Sequence, residues 1–110
     1  MKINSSKFFK KELKSLVKKY RSLINEVIEL SESLLENPIQ GDSLFMDCYK
    51  IRLAIESKGK GKRGGARVIT HFHVKDDEIY LISIYDKSEQ EDISDKELLR
   101  RLKALDLVWT

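Results

Sequence analysis

At 110 residues, with 41% hydrophobic and 35% charged side chains, the chain can close one hydrophobic core as a single domain spanning 1–110. No run approaches the roughly 18 apolar residues of a membrane span, and the lysine-rich N-terminus lacks the apolar stretch of a secretory signal. A lone cysteine, Cys48, leaves no disulfide framework or thiolate metal cluster and fits a reducing, cytoplasmic setting.

The formal net charge of +3 hides a strong segregation. Residues 1–21 hold eight bases and one acid, and residues 22–47 hold six acids and no base. Seven bases and one acid follow over 48–67, then six bases and ten acids to the end. A focused positive face attracts polyanions even when the net charge is small.

Residues 1–4 read as a short edge strand. Ser5 or Ser6 then caps a helix whose Phe9, Leu13, Leu16, Val17 and Tyr20 repeat with helical period, against an outer face of lysines. Ser22 opens a second helix, with Leu23, Val27, Leu30 and Leu34 on one side and Glu26, Glu29, Glu32 and Glu36 elsewhere. Asn37-Pro38 ends it, because the residue before proline is pushed out of the helical region. The pair forms a helical hairpin with a basic first arm and an acidic second arm.

Beyond a loop around Gly41 the period changes to two. Tyr49, Ile51, Leu53 and Ile55 alternate with Cys48, Lys50, Arg52 and Ala54 in one strand. Val68, Thr70, Phe72 and Val74 alternate with Arg67, Ile69, His71 and His73 in the next. Ile79 to Tyr85 is apolar on both faces, as a central strand would be. Ser94 and Glu97 form a capping box, with Ile93 stapled to Leu98, and open a last helix through Leu105. The expected fold is therefore α+β, in the order β-α-α-β-β-β-α, with the hairpin packed on a small antiparallel sheet and the helices against one sheet face. Trp109 is expected to pack the C-terminal tail.

The segment SKGKGKRGGAR, residues 57–67, holds five cations and four of the five glycines. Its G-x-G-x-x-G spacing is accidental, since a dinucleotide fingerprint needs a helix after it and a strand follows here. Lys58, Lys60, Lys62 and Arg63 in such a hairpin loop suit phosphate contacts that hold position without reading sequence. The plainer reading is a solvated hairpin tip.

Lys50 and Arg52 share the polar face of one strand, and Arg67, His71 and His73 share one face of the next. Set opposite the helical layer, that surface offers fixed cations and two imidazoles. Cleavage of RNA through the 2′-hydroxyl uses a base, cations on the crowded phosphate and an acid for the leaving oxygen. Tyr85-Asp86-Lys87 adds a phenol, a carboxylate and a cation at the strand's end. An exposed polar sheet face, surface histidines and simple strand termination account for the same residues without catalysis. The H-x-H pair has metal-ligand spacing but no evident third ligand, so no metal site is expected.

Taken together, the basic helical hairpin ending ENPIQG, the strands CYKIRL and RVITHFHV, and ISIYDKSEQEDIS before the last helix resemble the RelE/ParE superfamily of bacterial toxins, closest to its RelE-like branch. The likeness spans nearly the whole chain. It implies a ribosome-dependent endoribonuclease that cuts mRNA without a cofactor. The resemblance also implies a cytoplasmic toxin monomer that joins a small antitoxin in a hetero-oligomer. RelE-type toxins rely on basic residues of the middle strands, which correspond here to Lys50, Arg52 and Arg67, and a further basic residue at the end of the last strand corresponds to Lys87. The tyrosine such toxins carry near the C-terminus falls near Ile93, leaving Tyr85 as its substitute. Related branches use histidines and an aspartate, which keeps His71, His73 and Asp86 as candidates. A gyrase-inhibiting, non-nuclease toxin and an inactive family member are the alternatives.

Overall fold

A computed structural model describes residues 1–59, 61 and 63–107. Eight elements follow in chain order: β1 (Lys2–Ser5), α1 (Lys7–Lys19), α2 (Leu23–Glu36), β2 (Asp42–Ser43), β3 (Cys48–Leu53), β4 (Ala66–His73), β5 (Glu78–Asp86) and α3 (Asp95–Ala104). Short 3-10 turns at Glu56–Lys58 and Val74–Asp76 flank β4. Trp109, whose packing the sequence raises, lies outside the described residues.

The helix starts follow local chemistry. The Ser6 hydroxyl accepts from the Phe9 amide at 3.1 Å and satisfies a donor that the first turn of α1 leaves unpaired. Ser94 does the same for Glu97 at 3.1 Å at the start of α3. Glu97 does not complete a capping box. Its carboxylate is gripped by Arg100 and Arg101, which hold it down to about 2. At the other end of the hairpin, Asn37 leaves α2 with extended backbone, as its proline neighbour requires.

The sheet runs β1-β5-β4-β3-β2. β3, β4 and β5 are antiparallel neighbours, whereas β1 lies parallel to β5. The sheet is therefore mixed. It also gains a two-residue strand, β2, beside β3. Gly41 enters it with φ +89°, and a Cβ there would stand 2.2 Å from the Lys50 carbonyl oxygen. A Cβ on Gly65 would likewise stand 2.2 Å from the Leu53 carbonyl oxygen, because the backbones of the β3–β4 connection approach closely.

Two cores form, one on each sheet face. Phe9, Leu23, Val27, Leu30 and Leu34 of α1 and α2 pack with Ile51, Val68, Ile79 and Ile84. Leu98 and Leu102 of α3 pack with Cys48, Ile69, Ile82 and Tyr85 on the opposite face. The third helix thus departs from the expected one-sided layering. Strand alternation explains why: the β4 face that carries Arg67 also carries Ile69, which needs an apolar cover.

Candidate nucleic-acid interface

Strand register builds the site. Arg52 stands directly across from Arg67, and Arg67 directly across from Tyr85, so three adjacent strands contribute one row. Lys50 lies two residues from Arg52 and shares its face. Lys87 follows Tyr85 by two residues, and its N–H donates to the Gly65 carbonyl at 3.0 Å, extending the ladder past the end of β5. Nearby, the β4–β5 pairing shifts register at Ile69/Thr70, leaving Ile82 as an extra residue that bends the strand.

Neighbours fix these side chains. Asp92 accepts from the Tyr85 hydroxyl at 3.2 Å and pairs with the Lys50 ammonium at 3.4 Å. Burial and the Asp92 charge push the Tyr85 phenol up from its ordinary value, so it stays protonated at neutral pH. Burial opposes ionisation of Asp92, but the Ile93 amide and Lys50 outweigh it and hold its carboxyl below the usual range. Lys87 pairs with the exposed Glu91 at 3.0 Å. Arg67 is buried at 6% exposure, and its two terminal nitrogens donate to the carbonyls of Ala66 and Arg63, each at 3.1 Å. Its guanidinium is therefore held in one orientation. Arg52 and Arg63 are exposed.

Other expected site residues are placed elsewhere. Asp86 pairs with Ala66, one position out of phase with Tyr85, and faces the α1–α2 core. Buried at 2% exposure, it accepts from the Tyr20 hydroxyl at 2.5 Å, the Ser88 hydroxyl at 2.8 Å and the Lys58 ammonium. Burial raises its carboxyl, yet these donors overcome it and hold the group well below the carboxylate range. Lys58 is spent in this ion pair, with 8% of its side chain exposed, and is not a surface clamp. Lys60 and Lys62 lie outside the described residues.

His71 and His73 share the Arg67 face but sit four and six residues away, about 13 Å and 20 Å along the strand. Both are buried. The His71 Nε2 meets the His73 Nδ1 at 3.0 Å, and its Nδ1 lies 3.8 Å from the Cys48 Sγ. Burial and the neighbouring imidazole lower the His71 pKa. Burial also pushes the Cys48 thiol up to about 12, so it is not a nucleophile. This chain of side chains belongs to the far end of the sheet.

Sequence reasoning passed over Asp92 and Glu12. Glu12 accepts from Arg101 at 2.8 Å and from Ser83 at 3.1 Å, tying α1, β5 and α3 together. Neither has a local signature, since each acts on a partner distant in sequence or set by a loop. A cavity of about 300 Å³ touches Tyr85, but Glu12, Asp86 and Glu89 line it, which makes it a poor seat for phosphate.

The fold is an α+β domain that lines up Lys50, Arg52 and Arg67 from neighbouring strands on one sheet face, and the comparisons place it. Residues 1–108 match the family model described as the RelE toxin of the RelE / RelB toxin-antitoxin system, and the chain belongs to that family. A solved structure of an E. coli toxin RelE mutant in the free state is similar in fold. It has a TM-score of 0.60 and 23% identity, over 91% of this chain and 95% of that one. The protein is thus the toxin of a toxin–antitoxin module, of the class that inhibits translation by cleaving mRNA, and a cognate antitoxin is its partner. Among the described residues, no helix is long and apolar enough to cross a membrane.

Proposed function

We propose that the protein enters the ribosome in the cytoplasm and cuts mRNA on the Arg52–Arg67–Tyr85 row, with Lys50 and Lys87 beside it. The carrying observation is the register that sets Arg52, Arg67 and Tyr85 side by side across β3, β4 and β5. In the step considered, the ribose 2′-oxygen bonds to the adjacent phosphorus, and the bond from phosphorus to the 5′-oxygen breaks. The 2′-proton passes to solvent, and the leaving oxygen gains one. Negative charge grows on the phosphate as the new bond forms, and cations aimed there stabilise that state more than the ground state.

The residues divide this work. Exposed Arg52 offers a planar fork to phosphate oxygens. Lys50 and Lys87 exchange their carboxylate partners for phosphate, and Arg63 extends the contact along the backbone. Arg67, pinned by two carbonyls, supplies fixed positive charge beneath the scissile group. Tyr85 holds Asp92, which orients Lys50, and its protonated phenol makes it a donor rather than a base.

The test maps mRNA cuts by primer extension in a reconstituted translation reaction, with and without ribosomes. Arg67→Ala and Lys87→Ala should each lower cutting by about 100-fold, the loss typical of removing one charge-stabilising donor, while the far-UV circular dichroism stays unchanged. Toxicity without any cuts, together with inhibition of gyrase supercoiling, would move the protein to the non-nuclease reading.

A further inference from the structure

The outer face of the helical hairpin carries a surface that the cleavage site does not use. α2 buries Leu23, Val27, Leu30 and Leu34, yet it also exposes Ile24, Ile28 and Leu35 at 46%, 50% and 48%. These three recur at helical spacing, one flank away from the buried stripe. Ile24 meets Leu13 and Val17 of α1 in an open groove of about 430 Å³, and Lys10, Lys14 and Lys18 form its edge. Beyond Ile28 and Leu35 the α2 surface turns to exposed Glu29, Glu32 and Glu36. The hairpin therefore presents a row of lysines, an apolar strip and a row of glutamates, side by side. A contiguous exposed strip rimmed by charge marks an interaction surface.

From this we infer that the free toxin pairs with a second copy of itself through this face. The argument is charge complementarity within one chain. A copy turned about a two-fold axis along the strip sets its glutamate row on the lysine row of the first, and its lysines on the glutamates. Both apolar strips are buried between them. One patch then serves both partners, as an isologous two-fold interface requires. An acidic partner of another kind would answer the lysines and leave the glutamate row unmatched. The pairing revises the monomer expected from the resemblance. It also leaves the Arg52–Arg67 row open, because α1 and α2 cover the opposite sheet face.

Purified toxin without antitoxin is measured by light scattering after gel filtration over a range of concentrations and salt. The expected result is a rise to twice the chain mass, weakened by high salt as partly exposed ion pairs are screened. Ile28→Asp should remain at the single-chain mass, with its melting temperature and mRNA cutting unchanged. Cutting by this variant separates the pairing from the nuclease reading, since either can fail without the other. Two further proteins test the charge match, one with Lys10, Lys14 and Lys18 changed to Glu and one with Glu29, Glu32 and Glu36 changed to Lys. Each alone should stay single, and their mixture should form a mixed pair. A toxin that stays single at every concentration, or an Ile28→Asp protein that still pairs, overturns the inference. So does a single-chain toxin whose antitoxin capture is lost in Ile28→Asp, because the surface would then belong to the antitoxin.

Discussion

Asp86 shows how much one position in a strand decides. Tyr85 and Asp86 are neighbours in sequence, yet alternation sends the phenol to the cationic face and the carboxylate into the α1–α2 core. Asp86→Ala would leave the Lys58 ammonium buried without its partner, a change that costs about 3–5 kcal/mol. Chemical denaturation should show that loss while the initial fold signal is retained. Its contribution is present above the ordinary carboxylate value of 3.8 and is lost as pH falls below it, because the folded group resists protonation. His71 works over a different range. Its folded pKa lies below 6.5, so between those values the unfolded chain binds a proton that the folded chain refuses. Stability should therefore drop as pH falls through 6.5, and His71→Gln should flatten that part of a melting-temperature profile from pH 8 to 5. Histidine was legible as a residue type, but its partners were not: Cys48 comes from a strand 23 residues away.

At the scale of elements, the best-read pieces were those specified locally. Ser6 and Ser94 cap their helices as their spacing suggests, and Asn37-Pro38 stops α2. Ser94→Ala should lower stability by about 1 kcal/mol, measured as a shift in urea midpoint at constant slope. The side on which α3 packs was not legible, because its Leu98 and Leu102 stripe fits any apolar face. Ile69 and Ile82 offer one face, and Arg101 clamps the helix there through Glu12. The two-residue β2 escaped notice for another reason: it is too short to show a period and exists only by pairing with β3.

For the molecule as a whole, the relevant quantity is the field that the sheet presents. If Lys50, Arg52, Arg63, Arg67 and Lys87 engage about five phosphates of single-stranded RNA, the log–log dependence of affinity on salt should have a slope near −3.5. Titration of a short single-stranded RNA at several salt concentrations measures it, and a flat response would remove the phosphate role of this face. Lys10, Lys14 and Lys18 of the first basic block edge the hairpin groove, whereas Lys50, Arg52 and Arg67 of the second lie on the opposite sheet face and Lys58 turns back to Asp86.

The order of the three helices and the four longer strands, the hairpin of unlike charge and the cationic character of the middle strands were written in the sequence, because periodicity, capping and composition act over a few residues. Which cations meet was decided by tertiary structure alone. Pairing register brings Arg52, Arg67 and Tyr85 into a row, while a buried carboxylate withdraws Lys58 from the surface. Such choices depend on contacts between residues far apart in the chain, where burial and charge are balanced only after the sheet has closed.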